Sequence, residues 1–565
     1  MQSVYVAAFL GDVLMSRFRP RLLVLAVAAL PLLAAAESNT GGNSARNAHS
    51  ADAAKCASMY GKRFGGARVV ATMLARAPFH VYWMNSAPTA NQEARVPFCR
   101  LEAIAEPVPR SHIRMEIWLP VAAQWNGRFL GIGAGGSMGD VNRPWLADGV
   151  NRGFAAVATD NGHRSPSYRD RNEWALGQPE VIADFGHRAH RVATEAGQAA
   201  TRAYYGKRAA YSYMLGGSQG GKKALQAAQR YPEAYDGVLA FHPVTSWVHT
   251  MTQQAWSVRA LTETPGSALS IEQMQALQDA AQAQCAGPNG LIMDPIRCDF
   301  DPARLQCPHA EGKPCLNEAQ IVAVRKLYDG PRRADGTRIF PGFAPGGERL
   351  WAQFYRQVTA DGTRGGGSWL GVYRYMLFDD PGWTLDRLDF SRDPDFAKRK
   401  LGPLLDADDP NLDRFAQRGG KLLVVQGWAD QQIPAQQSID YHRAVVARRS
   451  ATEVDLYFRL FMVPGMVHGP AEIPMPNTPA LPGPNLGPTE VYDGTVPLTP
   501  ENDALTALQR WVEQGIPPTH FDVRVSVMPA GLTPRGVRAC PFPRVAAYRG
   551  EGDPMRAENW TGGTP

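Results

Sequence analysis

Hydrophobic and polar positions fall into three regimes along the chain. The first is an apolar run, Leu22 to Leu33, preceded by Arg17, Arg19 and Arg21 and followed by Ala34, Ala35 and Ala36. A positive segment, a short apolar core and small residues at the exit make a secretory signal, and the run falls short of the roughly 20 residues that cross a bilayer. Met15 opens a better-shaped signal than Met1 does, so residues 1–36 are expected to be a signal peptide with its true start at Met15 and cleavage near Ala36. Residues 37–52, polar and small, are expected to form a flexible leader. The mature protein is expected to be secreted or periplasmic, with no membrane span left after cleavage.

The second regime is an alternation of strands and helices. His112–Leu119 has the period of a strand, Arg128–Ile132 is a short apolar run ending in glycines, and Gly153–Thr159 is another. A helix is expected from about Phe185 to Tyr205, a strand over Tyr211–Leu215, a helix over Gly220–Arg230 and a strand over Val238–Phe241. This order implies an α/β fold with a parallel sheet covered by helices. The alternation returns at Lys421–Gln426 and Val454–Val463, and near the end Thr499 and Pro500 are expected to start a helix carrying the stripe Ala504, Leu505, Leu508, Trp511 and Val512.

Between these stretches lies the third regime, Ser246 to Leu405, rich in Pro, Gly, Cys and aromatics, with helices expected over Ser270–Gln284 and Asn317–Tyr328. It reads as an insertion. The expected organisation is therefore a core of two parts, 53–245 and 406–550, an inserted segment over 246–405, and a tail over 551–565. Trp256, Trp369, Tyr373, Tyr375 and Trp383 could line a pocket there, although large aromatics more often form the core of such a segment.

With 565 residues, 44% hydrophobic and 20% charged, the chain can bury a large core and is not a disordered protein. A net charge of +6, spread without a basic run, excludes nucleic acid as an expected partner. Export makes disulfides the expected use of the seven cysteines. Cys285 with Cys298 and Cys307 with Cys315 would close short loops, Cys56 with Cys99 would clip the N-terminal segment to the body, and Cys540 would stay unpaired.

The densest chemistry lies in Tyr213–Leu225, where Gly216-x-Ser218-x-Gly220 separates an apolar strand from a helix. That is the context of a nucleophile elbow, a strained turn whose glycines let strand and helix approach. A serine needs a base, and the base a carboxylate, in the chain order Ser, Asp, His. Asp430 follows the strand Lys421–Gln426, and His468 follows the strand ending at Val463. The oxyanion donors are expected to be the Gln219 N–H and that of Gly135 or Gly136, in the glycine loop after Arg128–Ile132. The same loop fits G-x-G-x-x-G, with Asp160 placed as a ribose-binding acid, but Ser137–Pro144 is a poor helix start and export argues against a dinucleotide. His187 and His190 have helical spacing for a metal but no third ligand, and read as surface or scaffold residues.

Trp125–Leu130, Gly153–Asp160, Asp184–Ala189, Gly216–Gly221, Gly427–Asp430 and Val463–His468 together resemble the tannase and feruloyl esterase family of secreted serine esterases, which includes the hydrolase of mono-hydroxyethyl terephthalate. The resemblance spans about residues 55–550 and implies an α/β-hydrolase core, a lid matching the insertion, and cleavage of esters of aromatic acids, with nucleophile, acid and base on Ser218, Asp430 and His468. Two departures stand out. The family's paired cysteines beside nucleophile and histidine are replaced by Gly217 and Gly469, and its aspartate-rich calcium loop by Cys285–Pro295, which retains Asn289 and Asp294. Calcium prefers six to eight oxygens, several charged, so no cofactor is expected to be required, and Asn289 and Asp294 are weak ligand candidates. The expected partner is a small aromatic ester. Alternatives left open are non-aromatic acyl esters, a peptidase, and a binding protein on the same fold.

Overall fold

The computed structural model describes residues 50–81, 93–165, 171–307, 314–352, 368–468, 498–525 and 535–563. The expected signal peptide and nearly all of the leader lie outside them. Residues 50–52, read as the end of the leader, instead begin helix α1 over 50–57, which carries Cys56.

A ten-stranded sheet forms the centre. Its strands are β1 (Arg63–Phe64), β2 (Ala67–Ala75), β3 (Phe98–Ala105), β4 (Ile113–Pro120), β5 (Arg128–Gly133), β6 (Ala155–Thr159), β7 (Tyr211–Gly217), β8 (Gly237–Phe241), β9 (Lys421–Gly427) and β10 (Phe458–Val463). The spatial order is β1-β2-β3-β4-β6-β5-β7-β8-β9-β10. Pairing is antiparallel from β1 through to β4 against β6, and parallel from β6 to β10. The parallel strands read as unbroken apolar runs because both of their faces are covered. Met214, Val238 and Val424 pack with helices α4 (Ala189–Tyr205) and α5 (Gln219–Arg230), while their neighbours Leu215, Leu239 and Val425 pack with Ala504–Gln514 and with Arg143–Asn151.

The helix expected from Phe185 starts earlier, at Pro179, and runs through a π turn over Asp184–Arg188 before α4. Two other expectations are corrected. Val454 is helical, because Ser450 and Glu453 close a capping box over Ala451–Asp455, and the strand begins at Phe458. Thr499 and Pro500 form a turn, and the helix starts at Ala504 behind Asp503, whose carboxylate accepts the Thr506 N–H at 2.7 Å.

Residues 247–405 contribute the helices Trp247–Thr262, Ile271–Cys285, Glu318–Asp329 and Asp393–Leu405, gathered around an apolar cluster that also takes in Ile182, Phe185 and Ile433. Trp369, Tyr373 and Trp383 are buried in it, and Trp256 and Tyr375 pack against it half-buried. These aromatics are the core of the insertion. The pairs Cys56–Cys99, Cys285–Cys298 and Cys307–Cys315 are disulfides, and Cys540 is free and buried. Among the described residues no helix is long and apolar enough to cross a membrane.

One buried ion cluster ties this frame to the start of the helix after the glycine loop. Glu116 of β4 accepts two hydrogen bonds from Arg100 at 2.7 Å, one from Arg143 at 2.8 Å and one from the Trp118 indole at 2.8 Å. Burial works to raise its carboxyl, but the Arg100 hydrogen bond and the charges of Arg143 and Arg100 outweigh it and hold the group below its ordinary value. Its contribution to stability is complete above the ordinary carboxylate range and is lost as pH falls through the lowered folded value. Glu116→Ala leaves two guanidinium groups facing a gap, and urea unfolding should show a loss of about 3–5 kcal/mol at neutral pH that shrinks on acidification.

Candidate active site

Ser218 stands directly after β7, with φ +58° and ψ −123°. The residue sits half-buried at the tip of a sharp, strained turn. The turn closes because its glycines carry no side chain. A Cβ at Gly216 would sit 2.1 Å from the Gly220 carbonyl oxygen, and one at Gly133 would sit 2.6 Å from the same atom. Strand β5, the elbow and the first turn of α5 thus meet backbone to backbone.

The first turn of α5 is anchored from below. Lys222 and Lys223 are wholly buried, and their ammonium groups donate to the carbonyls of Gly186, at 3.3 Å, and Phe185 in the π turn. Burial pushes both amines down, Lys222 to about 7. The side chain of Gln219 is likewise buried, and its N–H stands at the N-terminal end of α5, where backbone donors have no partner within the helix.

The glycine loop after β5 runs beside the elbow, with a Cβ at Gly135 falling 3.8 Å from the Gly217 carbonyl and Gly136 at φ +55°. Buried side chains hold this loop by its carbonyls. Asn161 donates to the Met138 carbonyl at 2.7 Å, His190 reaches the Asn161 amide oxygen at 3.1 Å, and His163 reaches the Ser137 carbonyl at 3.1 Å. His190 therefore serves as scaffold, and His187 beside it is half-buried. Asp160 uses its Oδ1 on the backbone, accepting the N–H groups of Arg114 in the neighbouring strand β4 at 3.0 Å and of Gly162 at 2.9 Å.

Asp430 and His468 meet at the ends of β9 and β10. The His468 Nδ1 lies 2.8 Å from the Asp430 Oδ2. Their loops are drawn together by backbone bonds from Trp428 to Val463, at 2.9 Å, and from Ala429 to Met466, at 3.0 Å. Gly427 permits this, since a Cβ there would lie 2.2 Å from the Met466 carbonyl oxygen. The His468 N–H is fixed by the Gln431 amide oxygen at 3.0 Å. Asp430 is buried and accepts the N–H groups of Gln432 and Ile433 at 2.9 and 2.8 Å. Burial works against its charge, but the His468 charge and the hydrogen bonds from His242 and His468 prevail and drive its pKa well below the ordinary carboxylate range.

His242 was not singled out from the sequence. It follows β8 as Ser218 follows β7, has φ +40°, and puts its Nδ1 3.2 Å from the same Asp430 oxygen. Gln426 adds an amide donor to that oxygen at 3.1 Å and is itself held by Ser438 at 3.0 Å. The available signal was positional, a polar residue just after an apolar strand that neighbours the strand leading to Ser218.

The candidate calcium ligands do not fit a cation. Asn289 uses its oxygen on the Leu291 N–H and its amide on the Met293 sulfur, while Asp294 caps Ile296 and pairs with Arg297. The Gly290 carbonyl between them already accepts the Arg535 guanidinium at 2.5 Å. Among the described residues, the group of three or more His, Cys, Asp or Glu close enough to share an ion is His242, Asp430 and His468.

The family described as tannase and feruloyl esterase matches residues 99–562. An uncharacterized esterase of Xanthomonas campestris is 32% identical over 494 residues, 82% of this chain and 84% of that protein. Feruloyl esterase B of Aspergillus niger is 29% identical over 487 residues, covering 84% and 88%. The crystal structure of feruloyl esterase B from Aspergillus oryzae superposes with a TM-score of 0.77 at 24% identity, covering 90% of this chain and 99% of that one, and shows the same α/β-hydrolase fold.

The elbow glycines give a paired test. Gly216→Ala drives a Cβ into backbone and should cost about 3 kcal/mol or more. Gly217→Ala meets only Trp145 at 3.4 Å and Phe241 at 3.9 Å, and should stay within about 1 kcal/mol of the parent. Soluble yield and urea midpoints measure both.

Proposed function

Because the chain belongs to the tannase and feruloyl esterase family and is a carboxylesterase, we propose that it hydrolyses esters of aromatic acids through Ser218, His468 and Asp430. The observation that carries this reading is the 2.8 Å contact between Asp430 and His468 on strands two and three places from the elbow. With Nδ1 turned to the carboxylate, the Nε2 of His468 is the nitrogen left to exchange protons with Ser218. His468 takes the serine proton as Oγ attacks the ester carbonyl, and Asp430 steadies the imidazolium. The Gln219 N–H and one N–H of the Gly135–Gly136 loop hold the oxyanion. The alcohol leaves with the proton from His468, and water, deprotonated by the same base, releases the acid from Ser218.

The substrate class follows the relatives, several of which bear the name feruloyl esterase. Export is part of the reading, supported by the N-terminal sequence pattern and by three disulfides.

Acid release from methyl ferulate, methyl gallate and a short aliphatic ester tests the proposal. An aryl ester should be cleaved, and Ser218→Ala should lower kcat by roughly 10³-fold or more. Turnover of the aliphatic ester alone would discard the aromatic assignment, and Ser218-independent turnover would discard the nucleophile. Asp430→Asn should lower kcat by roughly 10³- to 10⁴-fold with KM little changed, because it removes the acceptor that sets the His468 tautomer.

A further inference from the structure

A catalytic carboxylate in a triad ordinarily serves one histidine. Asp430 faces two. Its Oδ2 meets His468 Nδ1 at 2.8 Å, Gln426 Nε2 at 3.1 Å and His242 Nδ1 at 3.2 Å, and its Oδ1 takes two backbone N–H groups. A carboxylate offers about four lone-pair sites, so five donors saturate it.

His242 is buried, its ring centroid is 5.2 Å from that of His468, and its own N–H is bonded to the Val425 carbonyl at 2.9 Å. The Gly427 N–H also approaches His242 Nδ1, but at 3.4 Å. The shorter contact to an ionised oxygen decides the tautomer, with the proton on Nδ1 and directed at Asp430. Asp430 and His468 are the titratable groups acting on the ring, and burial outweighs the pull of Asp430 to keep it neutral. A residue other than glycine at positive φ is uncommon, and here two follow adjacent strands, Ser218 after β7 and His242 after β8.

We propose that His242 is a positioning residue for the esterase reaction, a second imidazole that fixes the Asp430 carboxylate and draws part of its charge away from His468. This rests on the triad proposed above. Sharing the carboxylate has two effects. Asp430 cannot rotate away from His468, since both oxygens are held. It also stabilises the His468 imidazolium less than an unshared carboxylate would, so the base stays neutral, and the enzyme active, to lower pH.

The test is the pH dependence of kcat/KM on whichever ester is turned over. His242→Leu removes the donor at similar volume, and should lower kcat/KM at its optimum by about 10-fold and move the acid limb up by about 0.5–1 pH unit. His242→Asn places an amide donor near the position of Nδ1 and should return the limb to that of the parent with most of the rate. An unmoved limb in His242→Leu, or the same shifted limb in both variants, overturns the proposal. If His242→Leu is insoluble, His242→Gln, whose amide reaches the position of Nε2, replaces it and must show the shifted limb. His468→Ala in parallel separates the two readings, because activity surviving that change removes the triad whatever His242 does.

Discussion

A wholly buried negative charge is the constraint around which this site is built. Leaving the Asp430 carboxylate uncompensated would cost several kcal/mol, far more than one hydrogen bond returns. The fold meets that cost with elements distant in sequence. His242 follows β8, β9 carries Gln426, the turn after Asp430 supplies two N–H groups, and the loop after β10 brings His468. Every one of these donors stands at the carboxyl ends of parallel strands, where an open α/β sheet gathers its chemistry.

The same end of the sheet is held by close backbone approach. Gly133, Gly216 and Gly220 let β5, the elbow and α5 touch, and Gly427 does the same for the acid and base loops. Such contacts leave carbonyls and N–H groups that side chains must satisfy. Asn161 and His163 serve the glycine loop, and Lys222 and Lys223 serve the π turn beneath α5. The buried lysines are unusual for a helix that follows a nucleophile, since two desolvated amines cost free energy. Their return is a rigid floor under the elbow.

How much of this could be read from the chain follows from which interactions are local. Ser218, Asp430 and His468 stood out because each ends an apolar strand with glycine nearby, a pattern confined to a dozen residues, and the three disulfides followed from spacing and export. Misread boundaries were cases where a cap competed with an apolar run. The Ser450–Glu453 box claimed Val454 for a helix, and Asp503 outdid Thr499 as a cap because its carboxylate also meets Arg152 at 2.9 Å. His242 stayed hidden because its meaning depends on Asp430, 188 positions away in sequence and met only once β8 and β9 pair. The surroundings of Asn289 and Asp294 were hidden for a similar reason, since the Arg535 guanidinium that reaches their loop comes from the far end of the chain.

The glycine at position 217 bears on how the proposed triad would keep its geometry. A side chain there would meet only Trp145 and Phe241 at ordinary contact distances, so space is not what excludes one. A set of directional bonds converges on Asp430 and its loop. The backbone bonds from Trp428 and Ala429 join that loop to the one bearing His468, and His242 joins it to the strand beside the nucleophile. Ser218 donates its own N–H to the Phe241 carbonyl at 2.9 Å, one residue before His242. The path from Ser218 to Asp430 therefore crosses one backbone bond, one peptide and one imidazole, and each step is set by the register of β7, β8 and β9. Geometry held this way depends on protonation and on sheet pairing, and it is independent of the redox state of any cysteine beside the nucleophile.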